Sequence, residues 1–348
     1  MQPTKCIQKG ATWGAALFTA ALLATPLLHA DIRLELIGEY QSGVFDESAA
    51  EINAYDPATN QLFVVNANSG LIDVLDLTDV TSPSLVTSLD PDIAGAGDVN
   101  SVAVMDGVLA AAVANENEQE SGFAVFYDTS DLGSGPVNTV TVGALPDMVI
   151  FTPDGSKVLT ANEGEPNEDY TVDPVGSVSI IDISGGVGSA GVTTVSWDGL
   201  DAETVRATGV RIFGPGASVA QDLEPEYIAV SPDSATAYVV MQENNALGLV
   251  DLNAATAGAL VPLGTKDHSL PGNGFDGSDD DDVINIANWP TKGLYQPDAI
   301  KMYEIDGTPY YFTANEGDTR DYDGFSEEAD VEDLTLDPTA FPNAAILR

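Results

Sequence analysis

Sulfur and imidazole are nearly missing from this chain. Its one cysteine is Cys6 and its two histidines are His29 and His268. All but His268 lie in the first thirty residues, where Lys5 and Lys9 precede an uncharged, Ala/Leu-rich run from Ala11 to Leu28 and a Leu28-His29-Ala30 exit before Asp31. That order predicts a secretory signal peptide over residues 1–30; a membrane anchor is the alternative, since the run is near the lower length limit of a span. With that segment removed there is no disulfide, no thiolate metal site, no cysteine nucleophile and no mechanism needing two histidines. Basic residues are scarce as well, 11 against 55 acidic, for a net charge of −44; cleavage after residue 30 leaves 9 against 55, or −46. Phosphate binding needs a basic footprint, so nucleic acid is excluded as a partner. Such acidity suits salty surroundings, where self-repulsion is screened within about 10 Å at 0.1 M salt. A hydrophobic content of 44% fills a core and argues against disorder. Gly-x-Ser-x-Gly, phosphate-loop and His-Glu-x-x-His signatures are missing too. Whatever chemistry remains runs on oxygen.

What the chain does have is one phrase repeated five times around a turn: Glu51–Asn66, Asn100–Asn115, Asp147–Asn162, Glu226–Gln242 and Asp298–Asn315. The clearest copy runs from Leu145 to Asn162, with strands Asp147–Phe151 and Lys157–Asn162 flanking Pro153-Asp154-Gly155, which sets the turn. A third strand follows in four copies (Leu71–Leu77, Phe123–Asp128, Ser177–Ile183, Ala246–Leu252), then a fourth (Ser84–Leu89, Val137–Val142, Val192–Trp197, Ala259–Leu263). Four antiparallel strands at a period of about 48 residues predict an all-β fold over 31–348, a β-propeller of four-stranded blades. A β-sandwich is the alternative, but it leaves the constant internal spacing of the phrase unexplained. The fifth copy lacks a third strand, so the expected ring is incomplete, with about five repeats, as in a piece of a longer protein.

Counting outward from each turn places polar residues opposite one another at the open end of every hairpin: Glu51 with Asn66, Asn100 with Asn115, Asp147 with Asn162, Glu226 with Gln242, and Asp298 with Asn315. The first strand of a blade lines the channel, so these pairs are expected to ring one mouth of it. Their plainer role is to satisfy loop backbone groups or to meet solvent. Three of the loops that follow read Ala-Asn-Glu, at Asn115-Glu116, Asn162-Glu163 and Asn315-Glu316. Two continue with Gly and further acids, adding Glu165, Asp318, Asp321 and Asp323. Carboxylates and amide oxygens on a Gly-bearing backbone are what a hard cation requires, and calcium suits them better than magnesium. The spacing is not that of an EF-hand. Asp276–Asp282 is a second acidic stretch, read first as a solvated insertion. His268 is expected in a loop, and Arg320 in an internal ion pair within Asp318-Thr-Arg-Asp321. A rim metal that activates water for phosphoester hydrolysis is the alternative chemistry.

Val142-Gly-Ala-Leu-Pro-Asp-Met-Val-Ile-Phe-Thr-Pro-Asp-Gly-Ser-Lys-Val-Leu-Thr-Ala-Asn-Glu163 resembles the repeat of YVTN-type β-propellers. Asp222-Leu-Glu-Pro-Glu-Tyr-Ile-Ala-Val-Ser-Pro-Asp233, Gln242-Glu-Asn-Asn-Ala246, the Thr-Ala-Asn-Glu-Gly loops and Gln296-Pro-Asp-Ala-Ile300 are similar, more specifically, to the choice-of-anchor I family. The resemblance implies a secreted or surface-exposed bacterial protein with a C-terminal anchoring signal. Some members are labelled alkaline phosphatase-like or likened to an animal mesenchymal cell-surface glycoprotein. The resulting expectation is an exported acidic propeller, monomeric and without a membrane span once processed. It would bind an extracellular ligand or surface partner and hold calcium at one rim, a metal-dependent phosphoester hydrolase being the alternative.

Overall fold

The computed structural model describes residues 33–278, 282–339 and 341. The expected signal segment, with Cys6 and His29, lies outside the described residues, as do Asp279 to Asp281 of the second acidic stretch.

Four antiparallel sheets of four strands follow one another along the chain. Blade 1 is β1 (Asn53–Asp56), β2 (Gln61–Asn66), β3 (Leu71–Asp76) and β4 (Ser84–Leu89); blade 2 is β5 (Ala96–Met105), β6 (Val108–Asn115), β7 (Ser121–Asp128) and β8 (Asn138–Ala144). Blade 3 is β9 (Pro146–Phe151), β10 (Lys157–Asn162), β11 (Ser177–Asp182) and β12 (Gly191–Val195); blade 4 is β13 (Pro225–Val230), β14 (Thr236–Met241), β15 (Ala246–Asp251) and β16 (Thr256–Pro262). Each is an up-and-down meander whose first strand packs beside the first strand of the next blade. The chain is therefore a β-propeller, as its repeats predict.

Local chemistry accounts for these meanders. Asp106 and Gly107 both have positive φ (49° and 81°), and Met105 pairs directly with Val108, as a two-residue hairpin turn of the primed type requires. The aspartate that ends each third strand turns the chain by accepting a hydrogen bond from the amide two residues on. Asp76 accepts from Thr78 (2.7 Å), and Asp128, Asp182 and Asp251 accept from Ser130, Ser184 and Asn253 (2.9 Å each). Part of the chain's acidity is thus turn chemistry.

Blades stack face to face, so most strands are buried on both sides. Leu109, Ala111 and Val113 of β6 pack against Phe63, Val65 and Ile72 of blade 1, while Ala110 and Ala112 face Val149, Phe151 and Val158 of blade 3. This two-residue alternation between neighbours explains why β6 reads as an unbroken apolar run. Trp197 closes the outer side of the contact between blades 3 and 4, where Leu159 and Ile180 meet Ile228, Val239 and Val250.

Two insertions depart from the meander. Residues 199–223 carry the short helices α1 (Ala202–Arg206) and α2 (Val219–Asp222), the second closed by a Ser218/Gln221 capping box. Residues 264–296 form two small ladders, β17 (Lys266–Asp267) with β20 (Lys292–Gly293) and β18 (Phe275–Asp276) with β19 (Ile286–Ala287). His268 sits there as expected, its Nδ1 2.6 Å from the Asn273 carbonyl and its ring against Phe275.

The fifth repeat is a single hairpin of β21 (Pro297–Ile305) and β22 (Thr308–Asn315), docked on blade 4 through Ile300 against Ala229 and Val240. A short ladder of β23 (Asp321–Tyr322) and β24 (Phe325–Ser326) follows it. Among the described residues no closed ring forms.

Candidate functional site

The open ends of the inner hairpins do not pair as symmetric counting from the turns suggests. In blade 3, Ala161 pairs with Met148 and Asn162 with Pro146, so Asp147 stands unpaired in a β-bulge. Asp298 bulges in the same way between Pro297↔Asn315 and Ala299↔Ala314, and Asn100 between Val99↔Val113 and Ser101↔Ala112. In blade 4, Glu226 and Tyr227 together oppose the single Val240. The expected facing pairs Asp147/Asn162, Glu226/Gln242, Asp298/Asn315 and Asn100/Asn115 are therefore not cross-strand partners. The extra residue breaks the symmetry of the count and re-aims the bulged side chain. In blade 1 Val65 bonds two successive residues at this end, its carbonyl accepting from the Glu51 amide at 3.0 Å and its amide donating to the Ile52 carbonyl at 2.8 Å, and the Glu51 side chain is exposed.

The bulged acids of blades 3 to 5 meet the acids of the loops that follow each second strand. Gly164 (φ 71°) bends the loop after β10, and Glu163 and Glu165 on either side of it come within hydrogen-bonding reach of each other. Glu163 also reaches Glu226 of β13, and Glu224 reaches Glu243 of the loop after β14. Asp147 feels the charges of Asp298 and Glu165, and Asp298 that of Glu316. Glu224, Glu226 and Glu243 are buried, whereas Asp147, Glu163, Glu165 and Asp298 keep partial solvent access.

Burial first, and neighbouring negative charge second, raise the affinity of this mouth for protons. Asp147 is pushed up to about 7 by desolvation together with Asp298 and Glu165. Glu243 is also pushed up to about 7, chiefly by desolvation. Glu163 rises well above the usual carboxylate range through burial and then the charge of Glu226, and Glu226 through burial and then the charge of Glu243. A pair of carboxyl groups in contact holds only with a proton or a cation between them.

One cation is built in. Arg320, from the segment after β22, runs beneath the cluster with its Nη2 3.2 Å from Glu224 Oε2 and donating to the Asp222 carbonyl at 2.7 Å. Its Nη1 lies 3.6 Å from Glu327 Oε2, and Glu327 is bonded in turn to Arg211 at 2.8 Å. Tyr322 of the same segment donates to Glu165 Oε1 at 3.1 Å and packs edge-on against Tyr170. Four buried atoms here still lack a hydrogen-bond partner: Glu224 Oε1, Glu243 Oε2, Arg320 Nε and Arg320 Nη1. Among the described residues, no group of three or more His, Cys, Asp or Glu side chains is already placed to hold a metal ion.

The sequence model of the choice-of-anchor I domain matches residues 51–348, which carry all five repeats and the whole acid cluster. The chain belongs to the choice-of-anchor I family. Curated protein sequences offer no match. Among solved structures, the chain is similar to Kuenenia stuttgartiensis hydrazine synthase at 12% identity, with 76% of this chain and 83% of that one covered and a TM-score of 0.39. It is also similar to the Myceliophteria thermophila Cps50 (Swd1) β-propeller domain at 9% identity, covering 63% of this chain and 57% of that one, with a TM-score of 0.42. A Lactobacillus plantarum protein is similar at 15% identity, with 61% and 57% covered and a TM-score of 0.43. The chain spans little more than half of the last two.

In this choice-of-anchor I domain the candidate residues divide sharply. Asp147, Glu163, Glu165, Glu226, Asp298 and Glu316 come together, and Asp318 lies near Glu165. Asn66, Asn115, Asn162 and Asn315 bond elsewhere. Asn162 is fully buried and donates to Ser177 Oγ (3.1 Å) and Ser179 Oγ (3.0 Å). Asn66 donates to Asp73 at 3.0 Å, Asn115 to the Ser121 carbonyl at 3.0 Å, and Asn315 accepts from Thr313 at 2.9 Å. Asn66, Asn115 and Asn162 tie the second strand to the third, the plainer of the two roles open to them, and the Asn315 bond lies within its own strand. Asn100 donates to the Pro146 carbonyl at 3.3 Å, and Gln242 reaches Glu316 at 3.5 Å. Glu116, Asp321 and Asp323 are exposed. Arg320 is ion-paired internally, as expected, but with Asp222, Glu224 and Glu327 rather than with its chain neighbours. Asp222, Glu224, Glu243 and Tyr322 were missed as site residues, although the phrases Glu224-Pro-Glu226 and Gln242-Glu243 repeat the acid-bearing slots of blade 3.

Proposed function

We propose that this propeller is a binding module of an exported or surface protein, that the acid mouth of blades 3 to 5 is its binding face, and that calcium is the ion taken there. The observation that carries the reading is the contact of carboxyl groups in pairs at a solvent-reachable rim, Glu163 with both Glu165 and Glu226. Hard oxygen donors from several backbone segments match the ligand chemistry of calcium, which tolerates variable geometry at about 2.3–2.6 Å, better than that of magnesium, which demands a tight octahedron. Membership in the choice-of-anchor I family supports an exported or surface setting. Among the described residues no helix is long and apolar enough to cross a membrane.

The test is melting of the full chain in calcium, in magnesium and in chelator, with calorimetric titration of each ion. Calcium is expected to raise the melting temperature more than magnesium at equal ionic strength, by mass action on the folded state. Equal melting in calcium and chelator, with no binding heat, overturns the reading.

A further inference from the structure

We infer that blade 1 carries a second binding site, for a primary ammonium group on an aliphatic stem, in the cavity between its outward face and residues 38–50. The site is separate from the acid mouth of blades 3 to 5 and does not depend on calcium.

Side chains alternate along β2 and β3. Phe63, Val65, Ile72 and Val74 pack toward blade 2, so Leu62, Val64, Asn66, Asp73 and Leu75 take the opposite face. Residues 38–50 run over that face and are held at both ends. A Cβ on Gly38 would collide with the Val80 carbonyl oxygen, and the Ser48 carbonyl accepts from the Asn68 amide at 3.0 Å. Between this strap and the sheet lies a cavity of about 440 Å³, a size typical of small-molecule sites. Its floor is apolar, with Leu62, Val64, Leu75 and Leu77. The carboxylates of Asp73 and Glu51 line it as well, and among the described residues no Lys, Arg or His does. Asp73 is only 7% exposed and accepts from Asn66 Nδ2 at 3.0 Å and from Ser88 Oγ. The first bond fixes which way the Asn66 amide points, because a carboxylate accepts and does not donate. Asn66 Oδ1 is thereby left buried without a hydrogen-bond partner, in a residue 8% exposed beside Asp73. Leaving a buried acceptor unpartnered is costly. What Asn66, Asp73 and Glu51 all want is a donor. A primary ammonium brings three donors, no acceptor and a compensating charge. Its aliphatic stem would cover the leucine and valine floor. A neutral hydroxyl would satisfy Asn66 but leave two carboxylates uncompensated, and an anion would be repelled. A lysine side chain and a free alkylamine carry the same group.

The test is calorimetric titration of the full chain with n-pentylammonium, at pH 7 in about 0.15 M salt, where long-range attraction to the acidic surface is screened. One equivalent is expected to bind. Methylammonium has the charge without the stem and 1-pentanol the stem without the charge; each is expected to bind about tenfold more weakly or worse. Asp73→Asn should weaken n-pentylammonium about tenfold or more, and Glu51→Gln, at the exposed edge, about threefold. Ala50→Trp fills the cavity from the strap without touching the sheet and should abolish binding. The exposed controls Glu116→Gln and Asp321→Asn/Asp323→Asn lower the net charge elsewhere and should bind within about twofold of the parent. Nα-acetyl-lysine methylamide separates the two sources: binding as tight as that of n-pentylammonium supports a lysine of a partner chain, and binding about tenfold weaker supports a free amine. Methylammonium bound as tightly as n-pentylammonium would assign the attraction to net charge and overturn the site, as would 1-pentanol bound equally well. Unchanged affinity in both Glu51→Gln and Ala50→Trp overturns it too, even if Asp73→Asn does not fold.

Discussion

Arg320 and Glu224 face each other at 3.2 Å, one fully buried and the other 1% exposed, nearly a hundred residues apart in the chain. Removing one partner of such a pair strands the other charge in a low-dielectric site. Arg320→Met is therefore expected to cost about 3–5 kcal/mol in urea unfolding at pH 7. Adding Glu224→Gln should return much of that loss, since no buried anion is then left over. A double variant as unstable as the single one would show that Arg320 acts through packing alone.

The acid mouth predicts how stability varies with pH. Asp147 and Glu243 are pushed up to about 7 in the folded chain, from the ordinary carboxylate range in the unfolded one. The folded state thus binds more protons between about pH 4 and 7, so its stabilisation from these groups is full below that window and is lost as pH rises through it. In chelator, the urea midpoint should fall between pH 5 and pH 8. In Asp147→Asn/Glu243→Gln the fall should be shallower.

Asp173 offers a separate test away from the cation ligands. Burial and the nearby Asp222 push it up to about 6, and its Oδ1 is buried without a partner. Asp173→Asn removes the charge at constant shape. It should stabilise the protein at pH 8 by about 1 kcal/mol, after discounting for solvent screening, and should have no effect at pH 4. Equal stabilisation at both pH values would assign the gain to hydrogen bonding instead.

Gly248 checks the packing of blades 3 and 4. A Cβ there would lie 2.5 Å from Trp197 Cζ2 and 2.6 Å from Met241 Cε. Gly248→Ala should cost about 1–3 kcal/mol by overpacking and leave calcium affinity unchanged, because the clash is at the blade contact rather than at the rim. A variant as stable as the parent would mean that Trp197 can shift without loss.

The strand plan could be read from the residues because its causes are local. Asp106-Gly107 turns the chain by its own φ preferences, Asp128 and Asp182 cap their strands within two residues, and the run 108–114 is apolar on both faces. The helices α1 and α2 were not read, since one-turn segments inside an insertion owe their form to contacts such as the bond from the Phe213 amide to Asp222 (3.0 Å).

The acids of the rim were legible as types at recurring slots, and the family phrases pointed to the same slots. Their partners were not legible. A bulge depends on how two strands settle against a third body, so the one-residue offset that frees Asp147, Asp298 and Glu226 cannot be counted from a turn. Asn162 and Glu163 are adjacent and equally polar, yet the first turns into the blade toward Ser177 and Ser179 and the second toward Glu226. The sequence by itself determined the blade, its turns and the supply of carboxyl groups, all through interactions within a few residues. Only the tertiary structure decided which carboxyls meet and that Arg320 compensates Glu224, because desolvation and charge pairing act between blades 3, 4 and 5, across distances the chain order does not encode.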